Sequence, residues 1–146
     1  MVITYAVILF GLLFLIPPLR RNNFYILHAV LLIGLAYYLE NVYGIRAKIF
    51  GYKTLMFFVV LHVVSINITT FFAYYHDKKA AVRGAWRVPE MNLHTLEFLG
   101  GWGGAMLAQK LFRHKTSKKR FMNMFYLMII MEFTAVYIIL KYLGFI

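Results

Sequence analysis

A run of basic side chains next to an apolar segment is the first feature of this sequence that suggests a binding function. LFRHKTSKKR, residues 111–120, follows Lys110 and precedes a long apolar stretch. Clusters of about four to eight Lys and Arg beside a membrane segment are typical of anionic-lipid binding. The predicted lipid- or phosphate-binding residues are Lys110, Arg113, His114, Lys115, Thr116, Lys118, Lys119 and Arg120. The simpler interpretation, that these charges only orient the chain in a membrane, is favoured over a binding role.

Charged residues of both signs occur in HDKKAAVRGAWRVPE, residues 76–90. We predict a loop ion-pair network there, connected to the basic run and formed by Asp77, Lys78, Arg87 and Glu90. Pro89 suits the first position of a helix, and Glu90 then lies in the first turn, where the helix dipole favours a carboxylate. A solvated loop is the preferred alternative, because exposed ion pairs contribute little to stability.

Polar residues also occur within the apolar segments. Glu132 lies near the middle of the last one, and a carboxylate at that depth is costly enough to suggest a function. An antiparallel neighbour would present Asn67 or His62 to Glu132. A structural hydrogen bond between helices is favoured over a proton relay.

Evidence for catalysis or metal binding is weak in this sequence. His94 and Glu97 are three residues apart, so they share one face of a helix, but a metal needs more ligands. A local hydrogen bond between them is preferred. The chain has no cysteine, which excludes disulfides and thiolate sites. No set of nucleophile, base and orienting residue suggests hydrolysis, and no cofactor or metal is predicted.

Four glycines interrupt an apolar segment at Gly100, Gly101, Gly103 and Gly104. Small residues allow helices to approach closely, and paired glycines allow a helix to break. We therefore predict a helix break or close packing there. The spacing does not fit a nucleotide phosphate loop.

The composition indicates a membrane protein. Of 146 residues, 62% are hydrophobic and 14% are charged, whereas soluble domains are about one quarter charged. The formal net charge of +11 fits Lys and Arg that flank membrane spans. Nucleic-acid binding is less favoured, because no aromatic side chains alternate with the charges.

Four apolar segments are long enough to cross a bilayer, and we place them at residues 2–19, 23–38, 54–75 and 122–140. No positive residue precedes the first segment and no cleavage site follows it, so we interpret it as a retained span rather than a signal peptide. Residues 93–112 form a fifth, atypical segment, which contains several polar residues and the glycines.

The distribution of positive charge separates two topologies. If residues 93–112 cross the membrane, the two sides carry seven and nine basic residues, which is no bias. If that segment is re-entrant or interfacial, one side carries twelve: Arg20, Arg21, Lys78, Lys79, Arg83, Arg87, Lys110, Arg113, Lys115, Lys118, Lys119 and Arg120. The other side then carries four: Arg46, Lys48, Lys53 and Lys141. The positive-inside rule favours the second arrangement.

The stretch from Asn67 to Phe121 carries a specific ordered pattern. Its elements are Asn67, Asp77-Lys78, Ala81, Gly84, Arg87-Val88-Pro89-Glu90, Leu93-His94, Leu99-Gly100-Gly101, Gly104, Ala105, Ala108-Gln109, His114-Lys115-Thr116 and Phe121. This pattern resembles the YsdA-like family of small polytopic membrane proteins, which carry a domain of unknown function. Some bacterial relatives place this domain after a cold-shock domain, but no such segment occurs here, so the link to RNA does not carry over. The resemblance implies a membrane location and no particular activity.

The sequence thus predicts one all-α membrane domain over residues 1–146. The family-like core is residues 67–121, and residues 1–60 are a two-span addition. We expect four transmembrane helices and one re-entrant or interfacial glycine-rich helix, with five full spans as the alternative. The basic loops 76–92 and 110–121 are placed in the cytoplasm and both termini on the opposite side.

The predicted function is that of a structural or accessory membrane protein without enzymatic activity, whose basic patch contacts anionic phospholipids. Membrane-protein partners or a homo-oligomer are compatible with this prediction. The alternatives are a lipid head-group enzyme or flippase, and a small oligomeric transporter that uses Glu132.

Overall fold

The computed structural model describes residues 22–42 and 52–145, together with the single positions 11 and 15. Its helices are α1 (Asn23–Val42), α2 (Tyr52–Arg83), α3 (Glu90–Leu96), a π-helical turn (Glu97–Gly101), α4 (Trp102–Phe112) and α5 (Lys119–Tyr142). No strand occurs among these residues. The predicted all-α class is therefore confirmed for the described part of the chain.

Three of these helices are long and apolar enough to cross a membrane: Asn23–Val42, Met56–Arg83 and Lys119–Tyr142. They contain three of the predicted spans almost completely. The predicted span at residues 2–19 lies outside the described residues, as do the side chains of Arg20, Arg21, Arg46, Lys48 and Lys53. The chain is thus compatible with a multi-pass membrane protein.

Helix α2 continues past its apolar part, which corrects the predicted loop at residues 76–92. The charged and alanine-rich stretch after His76 stays helical as far as Arg83, because Lys, Arg and Ala are good helix formers. The helix ends at Gly84, which has a φ of 65°, and the Ala85 amide donates to the Ala80 carbonyl at 3.0 Å. This pattern is a Schellman motif. Residues 84–89 then connect α2 to α3.

The second predicted loop is also shorter than expected. Lys110 lies in the last turn of α4, while Lys119 and Arg120 begin α5. Only residues 113–118 connect the two helices. Arg113 and Lys115 in this link have positive φ values of 45° and 62°, a conformation that is uncommon outside glycine.

The core has two clusters: one lies between α1 and α2, and the other lies among α2, α3, α4 and the start of α5. Small residues such as Ala73, Ala105 and Ala108 are fully buried there, and small side chains let neighbouring helix backbones approach closely. The outer face of α5 exposes large apolar side chains, among them Ile130 at 62% and Phe133 at 58%. Such exposure is expected where lipid is the solvent.

Candidate functional site

Residues 87–118 form a hairpin whose two ends meet at Asp77. The Val88 amide donates to Asp77 Oδ1 at 3.1 Å, and His114 Nε2 donates to Asp77 Oδ2 at 2.7 Å. The middle of the hairpin reaches His62, whose Nε2 donates to the Leu99 carbonyl at 2.8 Å. His62 and Asp77 are fifteen residues apart on α2, about 22 Å along a helix. The chain thus runs down beside α2, turns near Leu99, and returns to its starting level.

The turn of the hairpin is a helix break at Gly100. This residue has a φ of 101° and a ψ of 6°, inside an otherwise helical stretch. A side chain there would be strained, so the position requires glycine. A Cβ atom added at Gly100 would also lie 3.2 Å from Glu132 Oε1 of α5.

Asn67 of α2 satisfies the backbone groups on both sides of this break. Its Nδ2 donates to the Gly100 carbonyl at 2.9 Å and to the Val63 carbonyl at 2.8 Å. Its Oδ1 accepts from the Gly104 amide at 2.6 Å. One side chain therefore provides the partners that a broken helix would otherwise lack.

The remaining glycines allow close contact with α2. A Cβ atom at Gly101 would overlap the Thr70 hydroxyl, and one at Gly104 would overlap the backbone carbonyl of Asn67. At Gly103 it would lie 2.9 Å from Asn67 Oδ1. The glycine group thus both breaks the helix and lets α4 lie against α2.

The Asp77 carboxylate is fully buried and is contacted by two parts of the chain, residues 87–88 and 114–115. Besides the Val88 amide and His114, Arg87 donates from Nη2 at 3.1 Å and from Nε at 3.3 Å. Lys115 Nζ lies 3.1 Å from Oδ2, and its side chain is only 4% exposed. A buried carboxylate is stable when it is paired and hydrogen-bonded in this way. Among the described residues, no ion pair joins Lys78 to this cluster.

Glu90 extends the cluster toward the surface. Lys118 donates to Glu90 Oε1 at 2.7 Å, and Lys115 Nζ lies 3.7 Å from the same atom. The hydrogen bond from Lys118 lowers the pKa of the Glu90 carboxyl, and the hydrogen bond to Asp77 raises the pKa of Arg87. Burial lowers the pKa of His114 below its usual 6.5, although the contact with Asp77 opposes this shift. The loop before α3 and the loop before α5 are thereby joined.

A second buried polar network lies one turn deeper. His94 Nδ1 donates to Glu97 Oε2 at 2.6 Å, and the Tyr74 hydroxyl donates to Glu97 Oε1. Gln109 Nε2 donates to the Tyr74 hydroxyl at 3.1 Å. The four side chains are between 0% and 4% exposed. The spacing of His94 and Glu97 predicted their contact, but nothing in the sequence indicated Tyr74, which is 23 residues before Glu97.

A groove of about 490 Å³ opens beside this network, between α3 and the first turns of α5. Glu90, His94, Arg120 and Asn123 provide its polar lining. Met91, Phe121, Met124 and Leu127 provide its apolar lining. The ring of Phe121 also packs against His94, with the ring centroids 4.4 Å apart, and Lys115 Nζ lies 4.6 Å from its centroid.

A third chain of polar contacts joins α1, α2 and the turn of the hairpin. Because His62 Nε2 donates to Leu99, its Nδ1 is left to accept from His28 Nε2 at 3.2 Å. His28 Nδ1 then accepts from the Ser65 hydroxyl at 2.5 Å. The donor direction along the chain is thereby fixed, and α1 is connected to the hairpin turn. The sequence singled out His62 but did not indicate His28.

Comparison with known families covers this same region. Residues 67–121 match the family model described as Protein of unknown function (DUF1294). This segment is similar to the DUF1294 family. The resemblance predicted from the sequence is therefore confirmed for the segment. No curated protein and no solved structure matches the chain.

The boundaries of the DUF1294 segment coincide with contacts in the fold. It begins at Asn67, which bonds to both sides of the helix break. It ends at Phe121, which packs on the rings of Tyr74 and His94. Asp77 and its partners lie between these two positions. The segment thus contains the hairpin and both carboxylate networks, while His62 of α2, which contacts the hairpin turn, lies just before it.

The structure gives Glu132 a different environment from the one expected. Asn67 and His62 bond to the hairpin rather than to Glu132. Glu132 lies beside Gly100, within hydrogen-bonding reach of the Trp102 indole. The hairpin is the physical reason, because it occupies the space between α2 and α5 at this depth.

The predicted basic site divides into two groups. Lys115 and His114 are buried on Asp77, and Lys118 pairs with Glu90. Thr116 is exposed on the connecting loop. The exposed side chains without an ion pair among the described residues are Lys110, Arg113, Lys119 and Arg120. Only this second group is available to an external anion.

Proposed function

We propose that this protein is a structural or accessory membrane protein whose DUF1294 segment forms a re-entrant hairpin with a lipid-facing basic rim. The basic rim consists of the exposed residues Lys110, Arg113, Lys119 and Arg120. One observation carries the proposal: both ends of residues 87–118 contact Asp77, while their middle contacts His62 about 22 Å away along α2. A segment that returns to its starting level does not cross the membrane. Helix α5 begins at the level of Asp77 and runs antiparallel to α2.

The hydrogen bonding at the hairpin turn supports placement within the bilayer. Non-helical backbone at membrane depth is tolerated only where protein covers it and satisfies its polar groups. Asn67 provides bonds to the Gly100 carbonyl and the Gly104 amide, and His62 bonds the Leu99 carbonyl. Gly100 and Gly101 are themselves buried. The turn therefore meets the condition for a re-entrant segment.

The end of the hairpin at Asp77 is called its mouth. The distribution of charge supports the placement of this mouth in the cytoplasm. Ten basic residues of the described part belong to elements that meet around Asp77: Lys78, Lys79, Arg83, Arg87, Lys110, Arg113, Lys115, Lys118, Lys119 and Arg120. Lys141 lies at the other end of α5. Basic residues accumulate on the cytoplasmic side and attract anionic lipid there. The mouth is then the surface that contacts lipid phosphates.

Single-cysteine labelling tests the topology, since the natural chain has no cysteine. We would label Arg83→Cys, Ser117→Cys and Leu143→Cys variants in sealed vesicles with a membrane-impermeant maleimide. Arg83→Cys and Ser117→Cys should react from the same side, and Leu143→Cys from the other. Labelling of the first two from opposite sides would overturn the re-entrant hairpin and the function built on it.

Retained lipid tests the role of the basic rim. Native mass spectrometry of wild-type protein should show bound anionic phospholipid after mild detergent extraction. A triple variant of the exposed rim, Lys110→Gln, Arg113→Gln and Lys119→Gln, should retain less of it. Lys141→Gln at the far end of α5 is the control and should retain the wild-type amount. Equal retention in the triple variant would contradict lipid contact by the rim.

A further inference from the structure

The groove between α3 and α5 has the composition of a site for one amphipathic molecule. The polar end of the groove carries Arg120 and is bordered by Glu90, whose charge is already paired with Lys118 and Lys115. Its floor continues along α5 as Met124 and Leu127, the latter 46% exposed on the lipid-facing surface. The polar end lies at the level of the basic rim, and the apolar end lies deeper.

The imidazole of His94 lines this groove and is held in place through one of its nitrogens. Nδ1 is bonded to Glu97, and Glu97 is held in turn by Tyr74. His94 lines the groove, and no residue of the described ranges bonds its Nε2. Phe121 packs on the ring and fixes its plane. Nε2 is therefore the ring nitrogen left for a bound molecule.

The charges around the mouth favour an anion. Lys118 pairs with Glu90, and Lys115 lies between Asp77 and Glu90, so the guanidinium of Arg120 carries the positive charge that is open to a ligand. No carboxylate of the described residues pairs with Arg120. A guanidinium forms bidentate, charge-assisted bonds to phosphate.

We infer that this groove binds one anionic phospholipid, with its phosphate between Arg120 and His94 Nε2 and an acyl chain along Met124 and Leu127. The inference rests on the proposed function, because it requires the mouth of the hairpin to lie at the lipid phosphates. It goes beyond the exposed rim in naming an ordered site with defined ligands. Glu97 and Tyr74 are positioning residues that orient the imidazole.

Titration of phosphatidylglycerol into delipidated full-length protein, followed by native mass spectrometry, tests the site. Wild-type protein should bind one lipid more tightly than the rest. Arg120→Gln should raise the dissociation constant of that lipid about tenfold, as loss of a charge-assisted contact predicts. Lys141→Gln is the control, because Lys141 is exposed at the far end of α5 and does not line the groove. Unchanged affinity in Arg120→Gln would overturn the site.

Two further variants separate the site from a general loss of structure. Met124→Trp fills the groove floor without touching the polar network and should also weaken the tight lipid. His94→Gln should weaken it while a melting curve confirms folding. Retention of the tight lipid by Met124→Trp would overturn the acyl position. Failure of the site leaves the cysteine labelling pattern unchanged, whereas failure of the proposed function places Arg83→Cys and Ser117→Cys on opposite sides.

Discussion

The Asn67 side chain of α2 bonds to Gly104 of α4 through Oδ1, at 2.6 Å, while its Nδ2 bonds to the residue at the break, Gly100, at 2.9 Å. An amide is the side chain that can serve both needs, because it carries a donor and an acceptor on one planar group. This relationship explains how a broken helix can be stable between α2 and α5.

Substitution of Asn67 should therefore destabilise the hairpin. Asn67→Leu leaves the Gly100 carbonyl and the Gly104 amide without partners, at an expected cost of about 1–3 kcal/mol for a buried unsatisfied group. Thermal unfolding in detergent measures the loss. Asn41→Leu is the control, since among the described residues the Asn41 amide bonds to the Tyr37 carbonyl one turn back and to no other group. Equal melting temperatures for the two variants would contradict the role of Asn67.

Gly104→Ala tests the close approach of α4 to α2. The added methyl would overlap the Asn67 backbone carbonyl, which has no flexible atom that can move aside. Overpacking of this kind costs about 1–3 kcal/mol. Gly34→Ala is the matched control, because Gly34 is helical and has open space around it, so the change should be neutral or slightly stabilising. A Gly104→Ala variant as stable as the wild-type protein would show that α4 and α2 are not in contact at Gly104.

Asp77→Asn should release both ends of the hairpin. The change keeps the shape of the side chain but leaves Arg87, His114 and Lys115 without their shared negative charge. Removing one partner of a buried ion pair costs about 3–5 kcal/mol. Lys118→Gln, which affects only the half-exposed pair with Glu90, should cost about 1 kcal/mol or less. The denaturant midpoints of the two variants should differ accordingly, and similar midpoints would refute the central role of Asp77.

Acidification should destabilise the hairpin mouth through His114. Its pKa is lower in the folded protein than its usual 6.5, so the unfolded chain binds more protons in the range below that value. The contribution of His114 to the free energy of unfolding is complete above pH 6.5, and it is lost as the pH falls toward the pKa of His114 in the folded protein. The melting temperature should thus decrease between pH 7.5 and 5.5, and the decrease should be smaller in His114→Gln. Parallel pH curves for the two proteins would refute this assignment.

Arg87→Lys tests the geometry of the Asp77 cluster rather than its charge. Arg87 contacts both carboxylate oxygens, through Nε and Nη2, and a lysine ammonium cannot reproduce this fork. We expect Arg87→Lys to lower the melting temperature, and Arg83→Lys, at the end of α2, to leave it unchanged. The difference between the two melting temperatures is the measurement, and its absence would show that charge alone suffices.

The sequence by itself determined the three long apolar helices of the described residues and the broken segment, whereas the side on which positive charge collects stays a prediction. Continuous apolar runs and charge asymmetry are local properties, and they set which segments enter lipid whatever their neighbours are. The pair His94 and Glu97 was also predictable, because three residues on a helix fix a shared face. The extension of α2 to Arg83 was missed, since a charged end looks the same in a helix and in a loop.

Only the tertiary structure decided which polar groups meet. Asp77 and His114 are 37 residues apart, as are Ser65 and His28, and no spacing rule connects such positions. Their contact depends on the depth and rotation of each helix, which are set by packing over the whole bundle. Glu132 shows the same limit: its depth suggested Asn67 and His62 as partners, but the hairpin lies between them. The residues that enter the membrane are thus encoded locally, and the partners they find there follow from the packed fold.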